Sequence, residues 1–465
     1  MKTGVIAKRV DRYFKITERG SKFSTEIRGG VVTFLAMCYI IALNGVILGG
    51  PDSTGATLPA EKIAAATAIC AGFCSILMGV VGKVPISMAA GLGVSPVVAA
   101  GAATLKGATW ADIMGLVVIE GLIILILVLT GLRKAVFNTI PKDMRNAIGI
   151  GIGLFICLIG LVDSGFIQTG KGTILTLSST GKIHTIPLIV FIVSLLLIII
   201  FSARKIKGGF LIAIIISTIL AVILEGILHL GSKVNNPDGW VSSVPTWEGK
   251  AFSLPDFSLI GHFNILGSFQ HIGIVTALLF IFSLMMTDFF DTMGTIVALS
   301  NEANLNDKNG EPENIQRIFV ADAISASLGG VCSVSSNTVY AESASGIGDG
   351  AKTGIASITT GILFIIASFF SSLVAIIPSE AVTPALVFVG FLMLAQIVKI
   401  DFSKFDTAIP ASIIIIMIPF TYSITDGIGF GFVTYVLIKV FTGKFKEVSP
   451  LMYGLVIVFF IYFII

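Results

Sequence analysis

Two aspartates stand in the run TDFFDTMGT, residues 287–295, inside an apolar stretch that begins near Ile272. An ionised carboxylate in hydrocarbon costs roughly 2.5 to 3.5 kcal/mol on insertion scales, so such a residue marks a functional site by default. Asp288 and Asp291 are three positions apart, which puts them on one helix face. No lysine or arginine stands on the same span to neutralise them locally. Asp291 is the sharper candidate for a ligand contact. Thr292, Gly294 and Thr295 follow it, and small residues let a ligand or another backbone come close.

A second constellation is SSNTVYAESASGIGDG, residues 335–350. Glu342 opens a short helix there, after an extended and polar stretch, and the backbone N–H groups at such a start are free to donate. The glycines are not a phosphate loop, since GDGAKTG has Ala351 before Lys352 and lacks the GK[ST] step. A third stretch, VPISMAAGLGVSPVV at 84–98, occupies the same place in the first half. Gly91 and Gly93 allow close backbone approach, Pro96 breaks the helix, and Ser95 is the one good hydrogen-bonding side chain.

What positions these residues follows from composition. The chain has 465 residues, 55% hydrophobic and 12% charged, where a soluble domain averages about 25% charged residues. Apolar runs of bilayer-spanning length recur throughout. The chain therefore reads as an all-α polytopic membrane protein. The basic, polar stretch through Arg28 has no early apolar region, so no cleavable signal peptide is expected.

Fourteen spans are expected. The first half reads 29–49, 61–82, 85–103, 110–131, 143–163, 185–203 and 208–229. The second reads 272–299, 314–334, 337–350, 353–377, 381–399, 407–423 and 426–442. The third and tenth are short and broken by Gly and Pro, and a last apolar stretch runs from Pro450 to Ile465. With the N-terminus inside, 24 of the 30 lysines and arginines fall on the cytoplasmic side. The outer loops hold Lys62, Lys106, Lys171, Lys182, Lys233 and Lys250. That bias is the positive-inside rule. The stretch 147–161 resembles 383–397, and 207–218 resembles 426–437, each pair seven spans apart. An odd repeat length inverts the second copy, and paired interrupted spans in two inverted halves point to a transporter with its site near the midplane. The outer loop 231–270, with Trp240 and Trp247, is expected at the outer interface, and NDKNGEPEN at 306–314 is a polar connector.

Other chemistry is excluded. Cys38, Cys70, Cys74, Cys157 and Cys332 all lie in apolar segments without a CxxC and read as small buried hydrophobes. His184, His229, His262 and His271 form no ligand pattern, so no metal site is expected. No nucleophile–base pair supports an enzyme. Among the weaker polar signals, Asn44 reads as the counterpart of the eighth-span acids, Glu120 and Asp322 as helix-packing hydrogen bonds, and Asp426 as a dipole-stabilised helix start.

TDFFDTMGT, LTGLRKAVFNTIP with IGIGIGLFICLIGL, and TVYAESASGIGDGAKTG together resemble the nucleobase–cation symporter-2 family, in its adenine, guanine and hypoxanthine permease branch. The resemblance covers nearly the whole chain. It implies a seven-plus-seven inverted repeat of fourteen spans with short strands in the third and tenth. The domains it implies begin with a cytoplasmic tail at 1–28. A core domain follows at 29–131 and 271–378, and a gate domain at 132–230 and 379–443. An extracytoplasmic loop occupies 231–270, and an apolar segment occupies 444–465. It also implies a homodimer in the cell membrane, and no cofactor or nucleic-acid partner.

On the same resemblance the eighth-span acid falls on Asp291, the tenth-span acid on Glu342, and the position four after the first on Thr295. The third-span motif falls on Gly91, Gly93 and Ser95, where the branch commonly has Asn in place of Ser95. The implied function is proton-coupled purine uptake. The alternatives are anion exchange on the same fold, or carriage of uracil or xanthine. A purine edge offers N–H donors and ionised carboxylates are acceptor-only. Asp291 and Glu342 would clamp that edge, Thr295, Ser95 and Gly93 would line it, and Tyr340, Phe289 or Phe290 would supply a stacking face. Glu342 and Asp288 are the expected proton-coupling residues.

Overall fold

The computed structural model describes residues 2–170, 173–178, 181–247, 252–306 and 312–464. Lys171, Lys250 and residues 307–311 of the polar connector lie outside the described residues. With no water in hydrocarbon, backbone groups must pair within the chain, and the described chain is accordingly dominated by helices.

The tail carries α1 (Lys2–Phe14). The first expected span is α2 (Phe23–Met37) and α3 (Ile40–Leu48), broken at residues 38–39. Then come α4 (Ala60–Leu77), β1 (Met88–Ala90), α5 (Val94–Thr104), α6 (Trp110–Leu129) and a short α7 (Leu132–Thr139). The next elements are α8 (Lys142–Asp163), β2 (Ile167–Gly170), β3 (Thr173–Leu177), α9 (Ile186–Ala203) and α10 (Gly209–Leu228). The second half holds α11 (Ile265–His271), α12 (Ile274–Glu302), α13 (Ile315–Val331), β4 (Asn337–Val339), α14 (Ser343–Gly348) and α15 (Gly354–Ala367). It closes with α16 (Ser379–Val382), α17 (Pro384–Leu394), α18 (Phe405–Thr421), α19 (Ile424–Phe441) and α20 (Pro450–Ile464). Among the described residues, ten helical stretches are long and apolar enough to cross a membrane.

The third and tenth expected spans are strand–helix units. β1 and β4 pair antiparallel, Met88 with Val339, Ala89 with Thr338 and Ala90 with Asn337. This small sheet joins the two halves at their interrupted spans. Pro96 sits at the third position of α5, where its missing N–H costs no intrahelical bond. One group of helices packs α6 with α13, α4 with α15, α2 with α15 and α12 with α6. A second packs α8 with α17 and α18, α18 with α19, and α9 with α10. The groups meet where α12 touches α8 and α19, and where α10 touches α2. The similar stretches 147–161 and 383–397 lie in α8 and α17. A Cβ added at Gly390 would stand 2.8 Å from the Cβ of Cys157, so these helices cross at a distance only glycine permits.

Three local expectations change. Trp240 is fully buried, donating its indole N–H to Glu225 at 2.8 Å, while Trp247 is exposed. The loop around Trp240 folds back on the protein because Glu225 also accepts from the backbone N–H groups of Leu230 and Gly231. The connection between α8 and α9 carries the hairpin β2–β3. Residues 132–139, expected as a connection, form α7. The tail is also clasped to the body. Arg19 donates to the carbonyls of Lys83 (2.6 Å) and Lys352 (2.9 Å) and to Glu313 (2.9 Å). The fully buried Glu26 accepts from the backbone N–H groups of Lys352 and Thr353.

The candidate substrate site between two helix groups

Asp291 lies half-buried on α12, beside the start of α5. A Cβ added at Gly93 would stand 3.7 Å from Asp291 Oδ2, 3.5 Å from Ile152 and 3.8 Å from Ile424. Ile152 belongs to α8 and Ile424 to α19. The carboxylate therefore faces the seam between the two helix groups, and Gly93 keeps that approach open. The hydroxyl of Thr338, on β4, stands beside Asp291. Glu342 caps α14 without bonding its own helix, and it lies within electrostatic reach of Asp291. The two acids thus face each other from α12 and the start of α14, in the same half of the chain.

Tyr39 donates its hydroxyl to Glu342 Oε1. Tyr39 sits in the break between α2 and α3, and its ring stacks on Phe210 of α10 at 5.7 Å. Phe210 packs edge-on against Phe388 of α17 at 5.5 Å. Sequence reasoning missed Tyr39 and Thr338. A tyrosine in an apolar span carries no mark until its partner is known, and Thr338 looked like an ordinary strand residue.

The other expected site residues divide. Ser95 is fully buried and its hydroxyl has no hydrogen-bond partner among the described residues. Thr295 is half-buried one turn beyond Asp291. Tyr340 is buried and donates its hydroxyl to the carbonyl of Ala90 at 2.6 Å, which pins it beneath the strand pair. Phe289 packs near the guanidinium of Arg133, and Phe290 packs edge-on with Phe432. Asn44 makes packing bonds, donating to Thr67 Oγ1 and the carbonyl of Val334. Ser423, not Asp426, is the side-chain cap of α19.

Asp288 does not converge with Asp291. It is fully buried, and Arg133 Nη2 stands 3.9 Å from its Oδ2. Arg133 also donates to Asp322 at 2.8 Å, and Thr292 donates to the same carboxylate at 3.2 Å. Thr292, expected at the open side of Asp291, belongs to this cluster instead. No cation lies near Asp288 along its own span, because its cation comes from α7, far away in sequence. Residues three apart on a helix are also about 60° apart around it, enough to present each to different neighbours.

A family model described as a permease family, Xan_ur_permease, matches residues 24–430. The chain belongs to this family of nucleobase–cation symporters. Family members are permeases rather than enzymes, and this permease is a multi-pass membrane protein. It is 37% identical to the guanine/hypoxanthine permease PbuG of Bacillus subtilis, over 97% of this chain and 99% of that protein. It is 31% identical to the adenine permease AdeQ of Escherichia coli, over 95% and 93%. Among solved structures it resembles the transmembrane domain of the cyanobacterial bicarbonate transporter BicA, with TM-score 0.61 and 16% identity, over 88% of this permease and 97% of that chain. SLC26A9 gives TM-score 0.60, also at 16% identity, over 95% and 70%. These likenesses establish the fold of the permease.

Proposed function

We propose that this permease carries purine nucleobases of the adenine, guanine and hypoxanthine class into the cell together with a proton, by alternating access. The carrying observation is Asp291, set against the open start of α5 at Gly93 with Ile152 and Ile424 of the other helix group beside it. A ligand held there touches both groups, so movement of one against the other changes its access. Asp291 and Glu342 accept from the N–H edge of the base. Tyr39 orients Glu342, and Thr295 and Ser95 border the ring. We divide the chain into a core (29–131 and 271–378) and a gate (132–230 and 379–443); the helix contacts support that division apart from α7, which packs on α6. A cell-membrane location with the tail inside follows the distribution of lysine and arginine. Adenine and guanine/hypoxanthine permeases among the relatives support the purine class. Two convergent carboxylates disfavour an anionic substrate.

The test is uptake of labelled hypoxanthine into cells or proteoliposomes, with competition by adenine, guanine, xanthine and uracil. Uptake should rise at acidic outside pH and collapse with a protonophore. Dependence on sodium, or preference for uracil or a small anion, would overturn the reading.

A further inference from the structure

Four charged side chains from four elements meet away from the base site. Glu120 is on α6, Arg133 on α7, Asp288 on α12 and Asp322 on α13, none is more than 1% exposed, and Glu120 lies within electrostatic reach of the other three. Arg133 binds Asp322 at 2.8 Å and approaches Asp288 at 3.9 Å. Its guanidinium lies 4.7 Å from the Phe319 ring centre. One cation therefore serves three carboxyl groups, and a buried charge without a partner is strongly disfavoured.

The pairing is also incomplete at the atomic level. Among the described residues, both oxygens of Glu120, both of Asp288, and Nε and Nη2 of Arg133 have no hydrogen-bond partner. The buried hydroxyl of Ser336 stands beside Glu120. Buried polar groups are normally satisfied, so this concentration in one place calls for a ligand. Among the described residues no group of His, Cys, Asp and Glu side chains suits a metal ion. A cation with a coordination shell would also sit against the guanidinium. A proton needs no shell and neutralises a carboxylate directly.

We propose that Glu120, Asp288, Asp322 and Arg133 form a second ion-holding site, distinct from the base clamp, and that its ligand is the proton that travels with the substrate. The inference rests on the proton-coupled reading above. Glu120 is the carrier. Asp322 and Asp288 share Arg133, which leaves Glu120 as the carboxyl without a cation of its own. It binds one proton as the neutral acid and returns it to water as the carboxylate. The site can sense the base because Asp288 is one turn from Asp291, and the charges facing it are Asp322, Glu120, Arg133 and Asp291. The stretch at β4 gives a second connection, with Ser336 just before the strand beside Glu120 and Thr338 within it beside Asp291. Gln316 donates to the carbonyl of Val128 at 2.6 Å and ties α13 to α6 at the end that bears the clasped tail.

The experiment uses purified full-length protein in liposomes with labelled hypoxanthine. It compares accumulation driven by an acid-outside gradient with exchange at equal pH, which needs no net proton movement. Glu120→Gln should keep exchange and base affinity within about threefold of wild type, while driven accumulation falls at least about tenfold. Glu120→Asp, which keeps the ionisable group, should retain accumulation with a shifted pH profile. A purely packing role predicts the opposite order, since Gln matches Glu in shape. Wild-type accumulation in Glu120→Gln, or an unshifted pH profile in Glu120→Asp, would overturn the inference. Should Glu120→Gln fail to fold, the pH profile of Glu120→Asp decides alone. A wild-type protein that moves no purine would instead bring down the transport reading itself.

Discussion

Asp288 and Asp291 are three residues apart on α12 and serve different surroundings. Asp288 is fully buried and faces Arg133, while Asp291 is half-buried beside Gly93 at the seam between the helix groups. We therefore propose Asp291 as the base contact. Asp291→Asn should weaken hypoxanthine binding by at least about a hundredfold at every pH, since hydrogen bonds to charged groups carry about 1.5–3 kcal/mol each. Asp288→Asn should keep measurable affinity but change its pH dependence. Equilibrium binding to purified protein across pH checks both, and the reverse pattern would show that the other aspartate holds the base.

Tyr39→Phe removes the hydroxyl that orients Glu342 but keeps the ring stacked on Phe210. Base affinity should drop roughly tenfold, about the worth of one charge-assisted hydrogen bond. Thermal stability should change little, because the apolar contact survives. A variant that loses stability but not affinity would make Tyr39 a packing residue only.

Ser95→Asn should leave the protein folded and reorder its purine preference. The hydroxyl is buried and unpartnered among the described residues, and an amide brings both a donor and an acceptor where Ser has one short hydroxyl. Competition of adenine, guanine and hypoxanthine for one labelled base gives the ranking. An identical ranking would remove Ser95 from the site.

Arg133→Met leaves Asp322 and Asp288 buried without their cation. The expected loss of stability is about 3–5 kcal/mol, the usual result of removing one partner of a buried ion pair. Arg133→Met with Asp322→Leu should recover much of it. Denaturation in detergent reads both, and a stable single variant would mean the pair is not needed for folding.

The tail clasp should loosen in acid. Burial pushes the Glu313 carboxyl up, but the charges of Arg19 and Lys15 outweigh it and hold it below the ordinary 4.5. A carboxyl depressed in the folded protein contributes its full stabilisation above its ordinary value and loses it as pH falls through the lowered one. Hydrogen exchange in residues 15–22 should therefore be slow at neutral pH and quicken below about pH 4. Glu313→Gln should be quick already at pH 7, and equal protection in both proteins at pH 7 would argue that Arg19 is held by the two carbonyls alone.

Much of this permease could be read along the chain. Apolar run length fixes where a helix can cross a bilayer, so the helical character and most of the long apolar segments could be read, and ten of the described helical stretches are long and apolar enough to span. Asp291 and Glu342 stood out as candidates because a carboxylate is rare in such runs and costly there. Partnership was not legible. Arg133 looked like an ordinary charge at the end of a span, and Glu120 like a packing residue. Tyr39 had no mark at all. Trp240 was expected at an interface and lies in the interior. Hydropathy is a local property of the chain and is carried by each residue alone. A buried charge is defined by what stands against it, and those neighbours come from α6, α7, α12 and α13 only after the chain has folded.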